Sequence, residues 1–326
     1  MGKQLAAIPP PSAGLRARVL RPALIGAMRF RRFTNRLFGG EAAAKMESSF
    51  QALQPDAEHG PVLDAADAPL LFKLLDHLDQ KMGGVRPNEA RVGLLPACGV
   101  LHLGRAARGP QRQVLIIGLP CFQIWTVDEL SAVLAHEMAH LKLLDAVFTR
   151  EVVQHCARRK NGRNGRASGG VVGRMAAGVC RSMEFRADGW AALCFRAETL
   201  SRALEKLLVV EPIFRLVLAN FDDRGDGDTV FDHFARSWAA INEDKFADLR
   251  RKMIAKAEVD PLDPHPSLVE RLNRLAKSRR PEPPPPSASA MQLLKDPDQF
   301  KRMLSNRMFG PRRTKETVFF PAIDGD

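Results

Sequence analysis

One stretch of sequence, residues 126–144, constrains the fold more than any other. Thr126, followed three residues later by Glu129, has the pattern of a capping box, in which each side chain bonds the other residue's backbone amide. Apolar residues then recur at helical spacing, which predicts a helix buried in the core. They are Leu130, Val133, Leu134, Met138, Leu141 and Leu144.

Three polar residues interrupt this apolar helix: His136, Glu137 and His140. Two histidines four residues apart lie one turn apart on the same face, so both imidazoles can approach one metal ion. Glu137 can reach a metal-bound water without being a ligand, which is the chemistry of the H-E-x-x-H signature. The structural alternative is two hydrogen-bonded histidines on a buried helix.

A catalytic zinc usually takes three protein ligands, so a third one is needed. The extended pattern that places a third histidine downstream fails, because Leu143 and Ala146 stand at its glycine and histidine positions. A second predicted helix, Gly173 to Leu193, offers Glu184 as the ligand. Asp188 follows one turn later, where it can accept a hydrogen bond from the far nitrogen of a ligating histidine.

Three blocks of sequence carry a family resemblance. VDELSAVLAHEMAHL begins at Val127, EFRAD begins at Glu184, and HPSLVERLNRL begins at His265. Together they resemble the zinc metallopeptidase family numbered forty-eight, gluzincins that include HtpX and the CAAX prenyl endopeptidases. The resemblance spans roughly residues 65–276. It implies a zincin-like metalloprotease domain, and with the helical patterns we expect a helix-rich α+β fold with a small sheet beside the H-E-x-x-H helix.

The expected reaction is hydrolysis of peptide bonds in unfolded or extended polypeptides. One Zn²⁺ per chain, held by His136, His140 and Glu184, would acidify a bound water, and Glu137 would act as its general base. The chain contains no tyrosine to stabilise the oxyanion. The resemblance points to His265 and Arg271 for that role, although Asp263-Pro264-His265-Pro266 is also a good helix entry.

Patterns outside the ligand helices predict the rest of the architecture. Asp67 onward reads as a helix with Pro69 in its first turn and Gly83-Gly84 after its end, followed by strand-like runs at 91–95 and 113–119. The segment from Cys98 to Gly104 is a candidate edge for binding a substrate strand. We predict three regions: a basic arm at 1–45, a protease domain at 46–280, and a proline-rich linker with a C-terminal tail at 281–326.

The net charge of +12 is concentrated in two segments. Residues 1–40 hold eight basic side chains and no acid, and residues 157–170 hold five more, again without an acid. The arm could contact an anionic membrane surface. One alternative function is therefore a basic binding protein with a structural zinc, and another is a latent protease. Because no aromatic residues accompany the arginines of 157–170, we do not expect a nucleic-acid partner.

Cysteine usage and charge predict the compartment. Five cysteines without a CxxC pair favour a reducing compartment over a disulfide framework. In the family's membrane-embedded members a transmembrane hairpin joins the ligand helices, whereas residues 141–183 here carry eleven charges. With no recognisable signal peptide at the N-terminus, we expect a soluble, cytoplasmic member of the family, possible membrane contact being peripheral.

Overall fold

A four-stranded mixed sheet forms one layer of the fold. The computed structural model describes residues 60–103, 112–143, 165–222, 227–256, 265–278 and 287–309. The strands lie in the order β1-β2-β4-β3, with β2 and β4 parallel and the two outer pairs antiparallel. They are β1 (Val62–Leu63), β2 (Glu89–Gly93), β3 (Cys98–Leu103) and β4 (Arg112–Gly118).

The helices form the larger part of the described chain. Pro69 lies at the start of α1, and Gly83 ends it with the left-handed φ of 81°, as the sequence pattern predicted. The helices are α1 (Pro69–Met82), α2 (Leu119–Ile124), α3 (Val127–Lys142), α4 (Gly165–Phe195), α5 (Ala197–Asn220), α6 (Val230–Ala239), α7 (Glu243–Lys256), α8 (Leu268–Ala276) and α9 (Pro297–Phe309), with a 3₁₀ turn at Ala290–Leu293. The prediction of a helix-rich α+β fold is confirmed.

The predicted bounds of the first strand, 91–95, were wrong, because β2 is Glu89–Gly93. The apolar run behind that prediction continues past the end of the strand. Leu94 and Leu95 are buried, but they lie in the turn that follows β2. The turn packs closely against Gly118, where a Cβ would lie 1.8 Å from the Leu95 carbonyl oxygen. The Gly118 amide donates a hydrogen bond to the Ala97 carbonyl in the same turn. The backbone thus approaches β4 where only glycine leaves room.

Helix α3 lies at the centre of the domain. It packs against α1, α4, α5 and the edge strand β3, and most of its residues are buried. The predicted capping box is present, with the Thr126 hydroxyl accepting from the Glu129 amide and the Glu129 carboxylate accepting from the Thr126 amide. A helix buried over most of its length provides a rigid support for polar side chains.

Residues 287–309 pack on this domain. The Val127 amide donates to the Ala288 carbonyl (2.8 Å), and the Asp128 amide donates to the Ser287 hydroxyl (3.1 Å). Five of the segment's apolar residues contribute to the common core: Ala290, Leu293, Leu294, Phe300 and Leu304. The division into arm, domain and tail stays a prediction. Residues 1–59, residues 279–286 and the basic side chains of 157–170 lie outside the described residues.

The packing of α9 predicts a large cost for removing Phe300. This side chain is 3% exposed, so Phe300→Ala should lower the free energy of unfolding by about 3–5 kcal/mol in urea denaturation. Met303, on the same helix, is 39% exposed, and Met303→Ala should change it by less than about 1 kcal/mol. Equal, small effects of both substitutions would show that α9 does not contribute to the core.

Candidate metal centre

Three side chains from two helices bring their donor atoms together. His136 and His140 project from α3 with their Nε2 atoms 3.1 Å apart. Glu184, on α4, places Oε2 3.4 Å from His136 Nε2 and Oε1 3.5 Å from His140 Nε2. The geometry qualifies these three residues as a group that could hold a metal ion.

The spacing of these donors fits a tetrahedral ion. With bonds of about 2.0–2.1 Å, neighbouring ligand atoms of a tetrahedral zinc lie about 3.3–3.4 Å apart. The two Nε2 atoms are within about 0.3 Å of that separation, and each of them has a different Glu184 oxygen within about 0.2 Å of it. The donor set of two imidazoles and one carboxylate is also one that zinc accepts at catalytic sites. The residues present therefore fit zinc in both chemistry and spacing.

A layer of polar contacts behind the donors fixes the His136 ring. Asp188 Oδ1 lies 2.9 Å from His136 Nδ1, so the carboxylate holds the ring by the nitrogen that faces away from Glu184. Arg271, on α8, donates to both oxygens of Asp188, from Nε (2.9 Å) and from Nη2 (2.5 Å). This forked contact, 83 residues apart in sequence, joins α8 to the ligand helices.

Burial and charge act in opposite directions on these groups. Burial raises the pKa of Glu184 and of Asp188, but hydrogen bonds, with His136 as a partner of both, hold each pKa below its usual range. Burial lowers the pKa of His136, but hydrogen bonds with Asp188 and Glu184 outweigh it and raise that pKa to about 9. Without a metal, the cluster therefore holds a proton where it would otherwise hold a cation.

The remaining predicted residues lie around the same carboxylates. His265 Nδ1 lies 3.2 Å from Glu184 Oε1, and its side chain is 57% exposed. Arg271 Nη1 lies 3.8 Å from Glu184 Oε2, but its side chain is only 14% exposed. Every residue that the sequence singled out thus lies in the cluster or in contact with it, apart from Glu137, which borders the sheet.

Glu137 contacts a residue that sequence reasoning missed. The Val100 amide, on β3, donates to Glu137 Oε2 at 3.3 Å. The donor is a main-chain amide, so no pattern of side chains around Val100 could have revealed the contact. The predicted edge is confirmed in position, since β3 ends the strand order and its outer side faces this carboxylate.

Comparison with known proteins decides the family. The model of Peptidase family M48 matches residues 111–279, just over half of the chain. The chain belongs to peptidase family M48. The match includes every residue of the cluster, and the helix-rich fold with its small mixed sheet agrees with the zincin-like domain that the resemblance implied.

One relative agrees with this assignment. A protein named Protease HtpX homolog, from Syntrophobacter fumaroxidans, is 30% identical over 175 residues, which cover 44% of this chain and 61% of the relative. This M48 chain therefore aligns with less than two thirds of that relative's length. None of the helices in the described ranges has the length and apolar character that a membrane span requires.

The raised pKa of His136 predicts a measurable titration in the metal-free chain. NMR of its ring should give a midpoint near pH 9, against about 6.5 for an unperturbed histidine. Because the folded state binds this proton more tightly than the unfolded state, the proton adds stability that is complete below about pH 6.5. That contribution is lost as the pH rises through about 9.

Asp188→Asn supplies the control for this titration. It replaces the carboxylate whose hydrogen bond raises the pKa of His136, so the titration midpoint of the variant should lie below that of the wild-type ring. A wild-type midpoint at or below 6.5 would contradict the observed arrangement of hydrogen bonds.

Proposed function

We propose that this M48 member is a zinc-dependent endopeptidase that cleaves unfolded or extended polypeptides. The observation that carries the proposal is the convergence of His136, His140 and Glu184 to donor separations of 3.1–3.5 Å. Glu137 lies beside them, on the same helix and against the sheet edge. A structural zinc would not require a carboxylate placed next to the ligands without joining them.

His136, His140 and Glu184 would hold one zinc ion per chain. When bound, zinc supplies Lewis acidity, which polarises a peptide carbonyl and makes water a better nucleophile at neutral pH. The chain's own contribution is rigidity. His136 is 6% exposed and Glu184 9%, and the Asp188 carboxylate fixes the His136 ring.

Glu137 would move the proton. It lies next to a ligand without belonging to the donor group, so its carboxylate can take a proton from the attacking water. The same carboxyl group can return the proton to the departing amine. One residue can then serve first as the base and afterwards as the acid.

The two predicted oxyanion donors, Arg271 and His265, differ in whether they can reach a bound substrate. Arg271 directs its guanidinium to Asp188, so we assign it the support of that carboxylate. His265 keeps more than half of its side chain accessible while Nδ1 faces Glu184. We assign His265 the role of donor to the developing oxyanion.

Substrate would bind as an added strand. The outer side of β3 is unpaired in the described sheet and runs beside Glu137. A peptide that pairs with it needs an exposed, extended backbone and no particular side chain. This geometry supports unfolded or extended polypeptides as the substrate class.

Glu137→Gln tests the chemistry. Removing the base should lower kcat/KM by about 10²–10⁴-fold while the bound zinc stays at one ion per chain. The measurement is mass spectrometry of peptides released from a denatured protein mixture, with zinc quantified in the same samples. Asp128→Asn removes a carboxylate from the first turn of the same helix and should retain activity.

Two results would contradict the proposal. Equal cleavage by Glu137→Gln and the wild type would exclude Glu137 as the base. A zinc-loaded wild type that releases no peptides would exclude a constitutive peptidase and favour the latent form.

Asp188→Ala tests the support behind the ligands. Loss of this carboxylate frees the His136 ring, so zinc affinity should fall by about 10–100-fold in competition with a chromogenic chelator. Asp248→Ala removes an exposed carboxylate of α7 that pairs with Arg251 and Lys252, and it should leave zinc affinity unchanged. Equal zinc affinity in Asp188→Ala and the wild type would show that Asp188 only fills space.

A further inference from the structure

The outer edge of β3 presents a backbone amide to Glu137. Within the described residues only one side of this strand is paired, because β3 lies at the end of the order β1-β2-β4-β3. The Val100 amide donates to Glu137 Oε2, so it faces away from β4. Backbone groups of an antiparallel strand alternate between its two sides, so Gly99 turns its own amide and carbonyl toward β4.

Gly99 leaves room for the carboxylate at this edge. A Cβ built on it would lie 3.8 Å from Glu137 Oε2, an ordinary van der Waals distance. A β-branched side chain would extend further toward the carboxylate. The Val100 side chain, by contrast, packs against the core. Gly99 and Val100 therefore form a main-chain seat for Glu137.

We propose that the Val100 amide is a positioning group for Glu137, an inference that rests on the proposed peptidase function. A glutamate has several rotatable bonds, and it works as a base only when held within hydrogen-bond reach of its proton. The amide anchors Oε2 with a bond to a charged acceptor. It thereby leaves Oε1 for proton transfer.

The Val100 amide is held in place by the sheet. Val100 is fixed by the pairing of β3 with β4, in the register Val100 to Leu115. A side-chain donor would have to be ordered at an entropic cost, which an amide in a sheet does not incur. The position of the base is therefore tied to the edge on which the substrate strand is proposed to lie.

Val100→Pro removes this amide hydrogen. Proline is tolerated at an edge position whose N–H points away from the ladder, so pairing with β4 should persist. Val100→Ala is the matched control, since it trims the side chain and keeps the amide. Both are compared with the wild type, zinc-loaded, on a fluorogenic peptide derived from one of the cut sites.

A positioning role predicts a specific kinetic pattern. In Val100→Pro, kcat should fall by about 10–100-fold with KM within about twofold of the wild type, while Val100→Ala should lose no more than about threefold in kcat. A rise in KM at unchanged kcat would overturn the proposal, because the amide would then serve the bound peptide. Equal kcat in the proline and alanine variants would also overturn it.

A second pair of variants guards against misfolding of the proline variant. Gly99→Ala adds only the Cβ at van der Waals distance, whereas Gly99→Val brings branched atoms toward the carboxylate. The valine variant should lose at least about tenfold more kcat than the alanine variant, with equal bound zinc. Equal kcat in these two variants would overturn the proposed seat.

An activity-independent measurement separates this inference from the proposed function. In the metal-free chain, hydrogen exchange of the Val100 amide should be at least about tenfold faster in Glu137→Ala than in the wild type. Unchanged exchange would overturn the positioning contact even if the enzyme cleaves peptides. Faster exchange in a chain that cleaves no peptide would leave the contact intact and refute only the peptidase.

Discussion

Burying a charged cluster between helices is the constraint on which the structure depends. Glu184 and Asp188 are carboxylates with little exposure, and an isolated buried charge is prohibitively costly. Arg271 neutralises Asp188 directly. The remaining negative charge is balanced when His136 carries a proton, or when a metal ion is bound in its place. The cluster is therefore stable only when α3, α4 and α8 are packed together.

The same constraint explains why metal and proton compete. The hydrogen bonds that raise the pKa of His136 come from Asp188 and Glu184. Metal binding must displace the proton from that ring, so affinity should weaken with acidity below about pH 9. Asp188 supports either occupant, because it faces the other ring nitrogen.

The position of α3 is fixed at both ends by distant segments. At its N-terminus, Ser287 and Ala288 supply acceptors for the amides of the first turn, beside its own capping box. At its C-terminus, Lys142 donates to the Met82 carbonyl of α1 and lies over the Trp190 ring of α4. A helix anchored in this way fixes the backbone from which His136 and His140 project.

Local periodicity accounts for what the sequence could predict. The spacing of His136 and His140, and of Glu184 and Asp188, follows from one helical turn, so their faces were predictable. The forked contact between Arg271 and Asp188 depends on how α8 crosses α4, which composition and period do not specify. The packing of residues 287–309 was hidden for the same reason.

The contact of Val100 with Glu137 belongs to a different class, since any residue but proline would supply that amide. A main-chain donor requires a particular position of the strand and does not require a particular side chain. The candidate ligands come from helices and the proposed base contacts a strand, so the candidate site lies where the helical layer meets the sheet edge. Under the proposed function, a polypeptide substrate would run along that edge in extended form. Selection of this kind would act on backbone conformation before it acts on side chains, and it would exclude helical and folded segments whose amides are already paired.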